Sequence, residues 1–124
     1  MGKQELPKRK PTEQQVLSLL GLCARQGAAK SGEFSADKAI KEGKAKLVIV
    51  SADASDNTKK GFQDACAYYK VPIRIFSDRD SLGHAIGFEY RVSVAITNEG
   101  LAGKIAETID ALMEVPNLEG TGGK

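Results

Sequence analysis

The most constraining feature of the sequence is an unbroken apolar run, LVIV at residues 47–50, which directly follows a helical pattern. Within residues 31–46 the apolar side chains share one helical face, and Gly43 suits the left-handed position that ends a helix. The run lacks the polar alternation of a half-exposed strand, so we expect it to be covered on both faces, as parallel strands are in α/β proteins. Helices should therefore lie on both sides of a sheet.

The polar face of this predicted helix is rich in lysine. We expect the helix to begin at Ser31 or Gly32 and its first turn to expose backbone N–H groups, which suit phosphate or another anion. Taken alone, the lysines are more often the solvated face of an ordinary surface helix. The four lysines are Lys38, Lys41, Lys44 and Lys46.

Composition and charge restrict the class of protein. The chain has 124 residues, 41% of them hydrophobic, which predicts one domain with a substantial core. Residues 1–46 carry 10 basic and 5 acidic side chains, a net charge of +5, whereas the remainder carries −3. This distribution indicates a localised anionic partner. The absence of Trp and an aromatic content of 6% argue against a stacking platform for long single strands.

Cysteine usage and hydropathy bear on the cellular location. Cys23 and Cys66 both fall on apolar helical faces, so we expect reduced thiols in the core. The N-terminus offers no signal-peptide run, and the chain has no apolar stretch of about 18 residues that would span a membrane. We therefore expect a cytoplasmic protein with no membrane contact.

Periodicity and turn signals predict the element order αβαβαβαβα with short connections. This order is typical of an α/β fold, here a three-layer α/β/α sandwich with a small mixed sheet of about four strands. We expect a flexible basic segment at residues 1–11, a single domain at 12–116, and a disordered tail at 117–124, with Pro116 ending the last helix. The helix starts are predicted at Thr12, at Ser31 or Gly32, at Ser55 to Asn57, at Ser77 to Asp80, and near Leu101; the strands are predicted at residues 28–30, 47–50, 73–76 and 92–96.

Catalytic motifs are sparse. His84 is the only histidine and has no neighbouring cysteine spacing that would make a metal site, so a surface or capping role is expected. Asp78 and Asp80 precede a predicted helix, where capping is simpler than acid catalysis. Asp53 follows the buried strand, where a doubly wound fold places a functional carboxylate, but the acidic pair of a phosphoacceptor site is missing. The glycines form neither phosphate-binding fingerprint. We expect no enzyme, no cofactor and no metal.

Three ordered stretches carry a family resemblance: SGEFSADKAIKEGKAKLVIVSADASDNTKK, ACAYYKVPI and LGHAIGFEYRVSVAITNEGLAGKI. Together they resemble the kink-turn RNA-binding ribosomal proteins of the L7Ae and L30e type, most closely the bacterial YlxQ-type branch, over about residues 16–112. The resemblance implies an α/β/α sandwich that binds and does not catalyse. In this family the start of the second helix enters the major groove at tandem sheared G·A pairs, and the loop before the last strand covers extruded nucleotides.

The resemblance assigns roles in the second helix. Gly32 matches the glycine that opens the RNA-reading helix, and Lys38 matches its lysine, with Lys41 following on the same helix. Glu33, Phe34 and Ser35 occupy the reading turn, where Phe34 and Ser35 replace the Asn-Glu pair typical of the archaeal proteins. Packing of Phe34 into the core at the helix start is the alternative.

The resemblance also assigns the loop before the last strand. Phe88, Glu89, Tyr90, Arg91 and Val92 match the family's recognition loop. An aromatic ring at Tyr90 suits stacking on an unpaired base, and Arg91 suits a phosphate or a stacked base. The alternative is that Tyr90 shields the end of the sheet and Arg91 is solvated.

The predicted function is therefore docking on structured, kinked RNA with G·A pairs, by a ribosome-associated protein that is monomeric when free. A protein-interaction module of the ribosome or of the RNA-modification machinery is the alternative, because the reading turn has lost its usual polar pair. A phosphoacceptor domain acting through Asp53 is a third, weaker possibility. The expected partners are structured RNA, ribosomal or otherwise, and ribosomal proteins.

Overall fold

The computed structural model describes the backbone of residues 12–122 and the side chains of residues 12–113. The predicted segment at residues 1–11 lies outside the described residues. The element order is the predicted one: α1 (Glu13–Arg25), β1 (Ala29–Ser31), α2 (Glu33–Lys41), β2 (Leu47–Val50), α3 (Asp56–Tyr69), β3 (Ile73–Ile75), α4 (Arg79–Ala85), β4 (Ser93–Ile96) and α5 (Glu99–Gly122).

Side-chain caps start three of the helices where the sequence predicted them. Thr12 and Gln15 form a reciprocal capping box at α1, with N···O distances of 3.2 and 2.9 Å. Ser55 accepts the Thr58 N–H at the start of α3, and Asp78 accepts the Ser81 N–H at the start of α4. These caps satisfy N–H groups that the helices themselves leave unpaired.

The four strands form one mixed sheet in the order β1-β4-β2-β3. β4 is antiparallel to both β1 and β2, whereas β2 and β3 are parallel. The prediction that residues 47–50 form a strand covered on both faces is confirmed, although only one neighbour of β2 is parallel. Double burial follows from helices on both faces, whichever way the neighbouring strands run.

The two faces of the sheet carry separate apolar cores, which makes the fold a three-layer α/β/α sandwich. Leu47 and Ile49 of β2 pack with side chains of α1, α4 and α5. Val48 and Val50 point the other way and pack with side chains of α2 and α3. Alternation along one strand therefore assigns the helices to their layers.

Both cysteines are buried free thiols, as predicted. Cys23 lies in the α1 side of the core and Cys66 in the α3 side. Burial raises the pKa of Cys23 and raises that of Cys66 to about 11, which keeps the thiols protonated near neutral pH.

One part of the prediction is wrong. α5 was expected to end at Pro116, but its backbone is helical to Gly122. Proline removes one N–H donor and crowds the carbonyl four residues earlier, yet its fixed φ is helical, so a helix can continue past it. At residues 117–122 the backbone is thus helical; the predicted disorder of residues 123 and 124 lies outside the described part.

No helix in the described part is long and apolar enough to cross a membrane.

An arginine fork joins the edge strand β3 to α5. Arg74 donates from Nε to Asp110 Oδ1 at 2.7 Å and from Nη2 to Oδ2 at 2.9 Å. The hydrogen bonds from Arg74, and then its charge, lower the pKa of Asp110, while Asp110 raises the pKa of Arg74. This bidentate pair is partly exposed and links the edge of the sheet to the helix layer that contains α5.

Asp110→Asn should lower the free energy of unfolding by about 0.5–1 kcal/mol near neutral pH, the range of exposed ion pairs. Because the folded-state pKa of Asp110 is below its ordinary value of 3.8, this contribution is complete above that pH and is lost as the pH falls through the folded-state pKa. Urea unfolding of both proteins over a pH series measures it. Asp64→Asn, which removes an exposed pair with Lys60 on α3, is the control and should change stability less; a pH-independent effect of Asp110→Asn would contradict the assignment.

Candidate nucleic-acid interface

The start of α2 and the loop before β4 meet at one edge of the sheet. Ser31 pairs with Val94, and Val50 pairs with Ser93, so the ends of β1 and β2 lie beside the start of β4. The Gly32 N–H donates to the Ser93 carbonyl at 3.0 Å. We call residues 32–35 and 88–92 together the edge site; the family resemblance assigned both segments to RNA contacts, and the structure brings them together.

The α2 start lacks the side-chain cap that α1, α3 and α4 have. Gly32 precedes the helix with φ +91°, a conformation that other residues rarely adopt, and it has no side chain to cap the first turn. The first helical bond runs from the Ala36 N–H to the Gly32 carbonyl at 2.9 Å. Within the described residues, no hydrogen bond uses the N–H groups of Glu33, Phe34 and Ser35. Three donors and the positive end of the helix dipole therefore face outward.

The loop before β4 rests on α4. The Phe88 N–H donates to the Gly83 carbonyl at 2.8 Å, and the Arg91 N–H donates to the Arg79 carbonyl at 3.0 Å. Gly83 is in direct backbone contact with Tyr90: a Cβ on Gly83 would lie 2.4 Å from the Tyr90 Cα. The absence of a side chain at Gly83 is thus what allows the loop to lie in this position.

Arg91 is the link between the two halves of the edge site. Its Nε donates to Ser31 Oγ at 3.0 Å, just before α2, and its Nη1 donates to the Tyr90 carbonyl at 2.9 Å. Its guanidinium carbon lies 3.8 Å from the centre of the Phe88 ring, a cation–π contact. Arg91 is half-buried and anchored, which is not the fully solvated arginine of the alternative interpretation.

Aromatic side chains of the edge site face solvent. Phe34 is 80% exposed, Tyr90 53% and Phe88 45%, whereas Val92 is half-buried against the α2 and α3 core. The alternative that Phe34 packs in the core is therefore wrong. Exposed aromatic side chains surrounded by polar residues are typical of an interaction surface.

A cleft of about 510 Å³ lies next to Phe34, between the first halves of α2 and α3. Phe34 lines one wall and the buried Phe62 lies at its inner side, while polar groups make up much of the rest. The other lining residues are Glu33, Asp37, Asn57, Thr58 and Gly61. The cleft opens beside the uncapped turn, so a ligand on the edge site can also reach it.

The lysines of α2 are exposed but lie farther along the helix. Lys38 pairs with Glu42 at 3.1 Å, and Lys41 pairs with Asp37 at 3.0 Å. The Asp37 carboxylate, through its hydrogen bond and charge, raises the pKa of Lys41. Such surface pairs contribute little to stability, so a phosphate can compete for these ammonium groups. At 1.5 Å per residue, Lys41 is about 12 Å along the axis from Glu33, which separates it from the edge site.

The carboxylates considered for catalysis have structural partners. Asp53 accepts the Arg79 N–H at 3.1 Å, and Arg79 Nη2 donates to the Asp53 carbonyl at 2.8 Å, which ties the loop after β2 to the start of α4. Asp78 caps α4 and Asp80 lies in its first turn, as the capping interpretation predicted. His84 is exposed in the last turn of α4. Among the described residues no group of three metal-binding side chains occurs.

Sequence reasoning missed three residues that support the edge site: Ser31, Arg79 and Gly83. The sequence indicated Ser31 only as a possible start of the second helix, and Arg79 gave no signal, because an arginine fits any surface position. Gly83 gave a weak one: glycine inside a helix costs about 1 kcal/mol relative to alanine, so its presence within α4 indicates a packing reason.

The α/β/α sandwich is the fold of a family that contains ribosomal and RNA-binding proteins. The sequence profile of the ribosomal protein L7Ae/L30e/S12e/Gadd45 family matches residues 14–106. That span covers well over half of the chain, and the chain belongs to this family. The family resemblance inferred from the sequence is confirmed.

Individual relatives narrow the position within the family. RNA-binding protein YlxQ of Bacillus subtilis (strain 168) is 46% identical over 92 residues, which cover 74% of this chain and 92% of that protein. A solved structure of a Bacillus halodurans protein of unknown function has a TM-score of 0.75 and 41% identity, covering 77% of this chain and 97% of that one. The Giardia lamblia 15.5kD RNA binding protein has a TM-score of 0.65 and 27% identity, covering 85% and 88%.

Gly83→Ala should displace the loop of residues 88–91 and destabilise the fold by about 1–3 kcal/mol, the usual cost of overpacking. Urea unfolding gives the free energy, and amide chemical shifts of the loop report its displacement. Gly103→Ala in α5 is the matched control: nothing lies within 4 Å of a Cβ there, so stability should stay the same or rise. Equal behaviour of the two variants would contradict the role given to Gly83.

Proposed function

We propose that this protein binds structured RNA through the edge site, docking on a kinked internal loop with sheared G·A pairs. The observation that carries the proposal is the juxtaposition of an uncapped helix start with a loop of exposed aromatic side chains, held together by Arg91. Membership of a family of ribosomal proteins, and a relative named as an RNA-binding protein, support it. We propose in addition that the protein is cytoplasmic, ribosome-associated and monomeric when free.

The geometry suits folded RNA better than a regular duplex. The major groove of A-form RNA is too deep and narrow for a helix, whereas a kinked loop widens it and unstacks bases. In the proposed complex the N–H groups of residues 33–35 receive phosphate or base acceptors, and Tyr90 stacks on an extruded base. The start of α2 thus binds the widened groove, and the loop before β4 binds the unstacked base.

Charges at the edge site favour recognition of bases. Glu33 and Glu89 are both exposed there, and carboxylates accept hydrogen bonds from base amino groups. Contacts with the RNA phosphates come from lysines along α2. Lys38 is the one nearest to the edge site, and the family pattern predicts it as an RNA contact.

Phe34 changes the chemistry of the first turn of α2, which contacts bases in the proposed complex. The ring is 80% exposed at a position where an asparagine would hydrogen-bond a base edge. An aromatic ring there contacts bases by stacking, which depends little on base identity. We propose that Phe34 replaces base-edge recognition with stacking at this point.

A protein-interaction module is the second candidate. The exposed ring of Phe34 beside the 510 Å³ cleft is the observation that favours it, because aromatic anchors are frequent in protein interfaces. The partners would then be ribosomal proteins or an RNA-modifying enzyme. Such a module has no salt-dependent affinity for RNA, and this separates the two candidates.

The defining experiment compares binding to a kink-turn RNA and to a straight duplex of equal length at several salt concentrations. We expect preference for the kinked RNA and an affinity that falls as salt rises. Equal, weak binding to both RNAs would contradict the proposal and favour the protein-interaction module.

Arg91→Ala and Lys38→Ala should each weaken binding to the kink-turn RNA without unfolding the domain. Arg91→Ala removes the link between the halves of the site, and Lys38→Ala removes a phosphate contact, which should lower the salt dependence by about one ion. Arg25→Ala, on the exposed face of α1, makes the same charge change and is the control. Unchanged affinity in both site variants would contradict the site.

Tyr90→Ala should weaken binding by about 1–3 kcal/mol, the cost of losing one stacked base. Tyr90→Phe keeps the ring and should bind nearly as well as the parent protein. The affinities are measured at one salt concentration. If the phenylalanine variant loses as much as the alanine variant, the hydroxyl is the contact and stacking is wrong.

A further inference from the structure

A second cleft lies at the opposite edge of the sheet, between the C-terminal ends of α2 and α3. The Lys46 N–H donates to the Ile96 carbonyl at 2.7 Å, which places this cleft at the start of β2 and the end of β4. Its volume is about 420 Å³, within the usual range for a small-molecule site. We call it the lysine cleft; it is lined by Ile40, Lys41, Glu42, Gly43, Ala45, Lys46, Tyr69, Lys70, Val71 and Pro72.

The lysine cleft and its rim carry a net positive charge. Lys41, Lys46 and Lys70 line it, and Lys38 and Lys44 stand beside its glutamate. Asp37 and Glu42 are the carboxylates paired with these lysines, which leaves +3. Hydrogen bonds from Lys38 and Lys44 lower the pKa of Glu42, so its negative charge is already matched. Lys46 and Lys70 form no ion pair with any side chain of residues 12–113.

Lys70 is not explained by the local backbone. It ends α3 in the left-handed conformation, with φ 60° and ψ 48°, where glycine or asparagine is favoured. A lysine in the left-handed conformation destabilises the fold relative to glycine. We therefore look for a role of the Lys70 ammonium group that offsets this cost.

Tyr69 supplies an aromatic wall to the cleft. Its ring lies 4.8 Å from that of Tyr68 in an edge-to-face contact, which orients it, while 41% of its surface stays open. A stacking surface beside several lysines is the combination with which proteins hold single-stranded nucleic acid.

We infer that the lysine cleft binds one nucleotide of a second RNA segment. The base lies on Tyr69, and the phosphates on either side contact Lys41, Lys46 and Lys70. The inference rests on the proposed function for its choice of RNA as the ligand. The near side of the cleft, at Lys41, is about 12 Å along the helix axis from the α2 start, so one folded RNA with a single-stranded extension can occupy both sites.

The test uses the full chain and an oligouridylate of about eight nucleotides, which has no G·A pairs. Lys70→Gly removes the charge while relieving the backbone, so thermal unfolding should show equal or higher stability. We expect Lys70→Gly and Tyr69→Ala each to weaken oligouridylate binding by at least about fivefold. Amide chemical shifts should change at residues 41–46 and 69–71.

Two matched substitutions serve as controls. Lys104→Ala makes the same charge change on α5, in the opposite layer, and Tyr69→Phe keeps the ring at the cleft and removes only its hydroxyl. Each should alter the affinity by less than about twofold. Equal losses in control and cleft variants, absence of oligouridylate binding, or shifts confined to the edge site would overturn the inference.

A minimal kink-turn RNA measured in parallel separates the two proposals. Retained kink-turn preference without any effect of the cleft variants on oligouridylate overturns the lysine cleft alone. Loss of kink-turn preference together with intact cleft effects overturns the edge site alone and supports the lysine cleft.

Discussion

The burial of β2 and β4 on both faces is the constraint on which the rest of the structure depends. Every residue of these two strands is buried, so helices must cover both sides of the sheet. Because β1 and β4 are antiparallel, the end of β1 lies beside the start of β4. This register brings the segment after β1 and the segment before β4 to one edge, which makes the edge site a consequence of how the core is closed.

Local signals were sufficient for most of the fold, because caps and periodicity act over a few residues. Thr12, Ser55 and Asp78 accept the hydrogen bonds that their positions predicted. The error at the last helix occurs where a local rule meets its physical limit, because Pro116 weakens a helix without forbidding it.

The loop half of the candidate site was predictable only through the family pattern. Nothing in the local sequence says that Arg91 reaches Ser31, since 60 residues separate them and only the sheet register joins them. Phe34 illustrates the opposite problem: an aromatic residue at a helix start suits the core as well as the surface, and its 80% exposure had to be observed. Gly83 lets the Tyr90 backbone approach because it has no side chain. The sequence alone does not show that the two backbones come this close.

The distribution of charge assigns different roles to the edge site and to the lysines in the proposed complex. The edge site carries Glu33 and Glu89, and its arginine is already engaged with Ser31 and Tyr90. The exposed ammonium groups lie instead along α2 and around the lysine cleft. Affinity for RNA depends mainly on phosphate neutralisation, whereas specificity depends on contacts with bases. The edge site is therefore suited to selecting an RNA by its shape, and the strength of binding should depend on how far that RNA extends over the lysines.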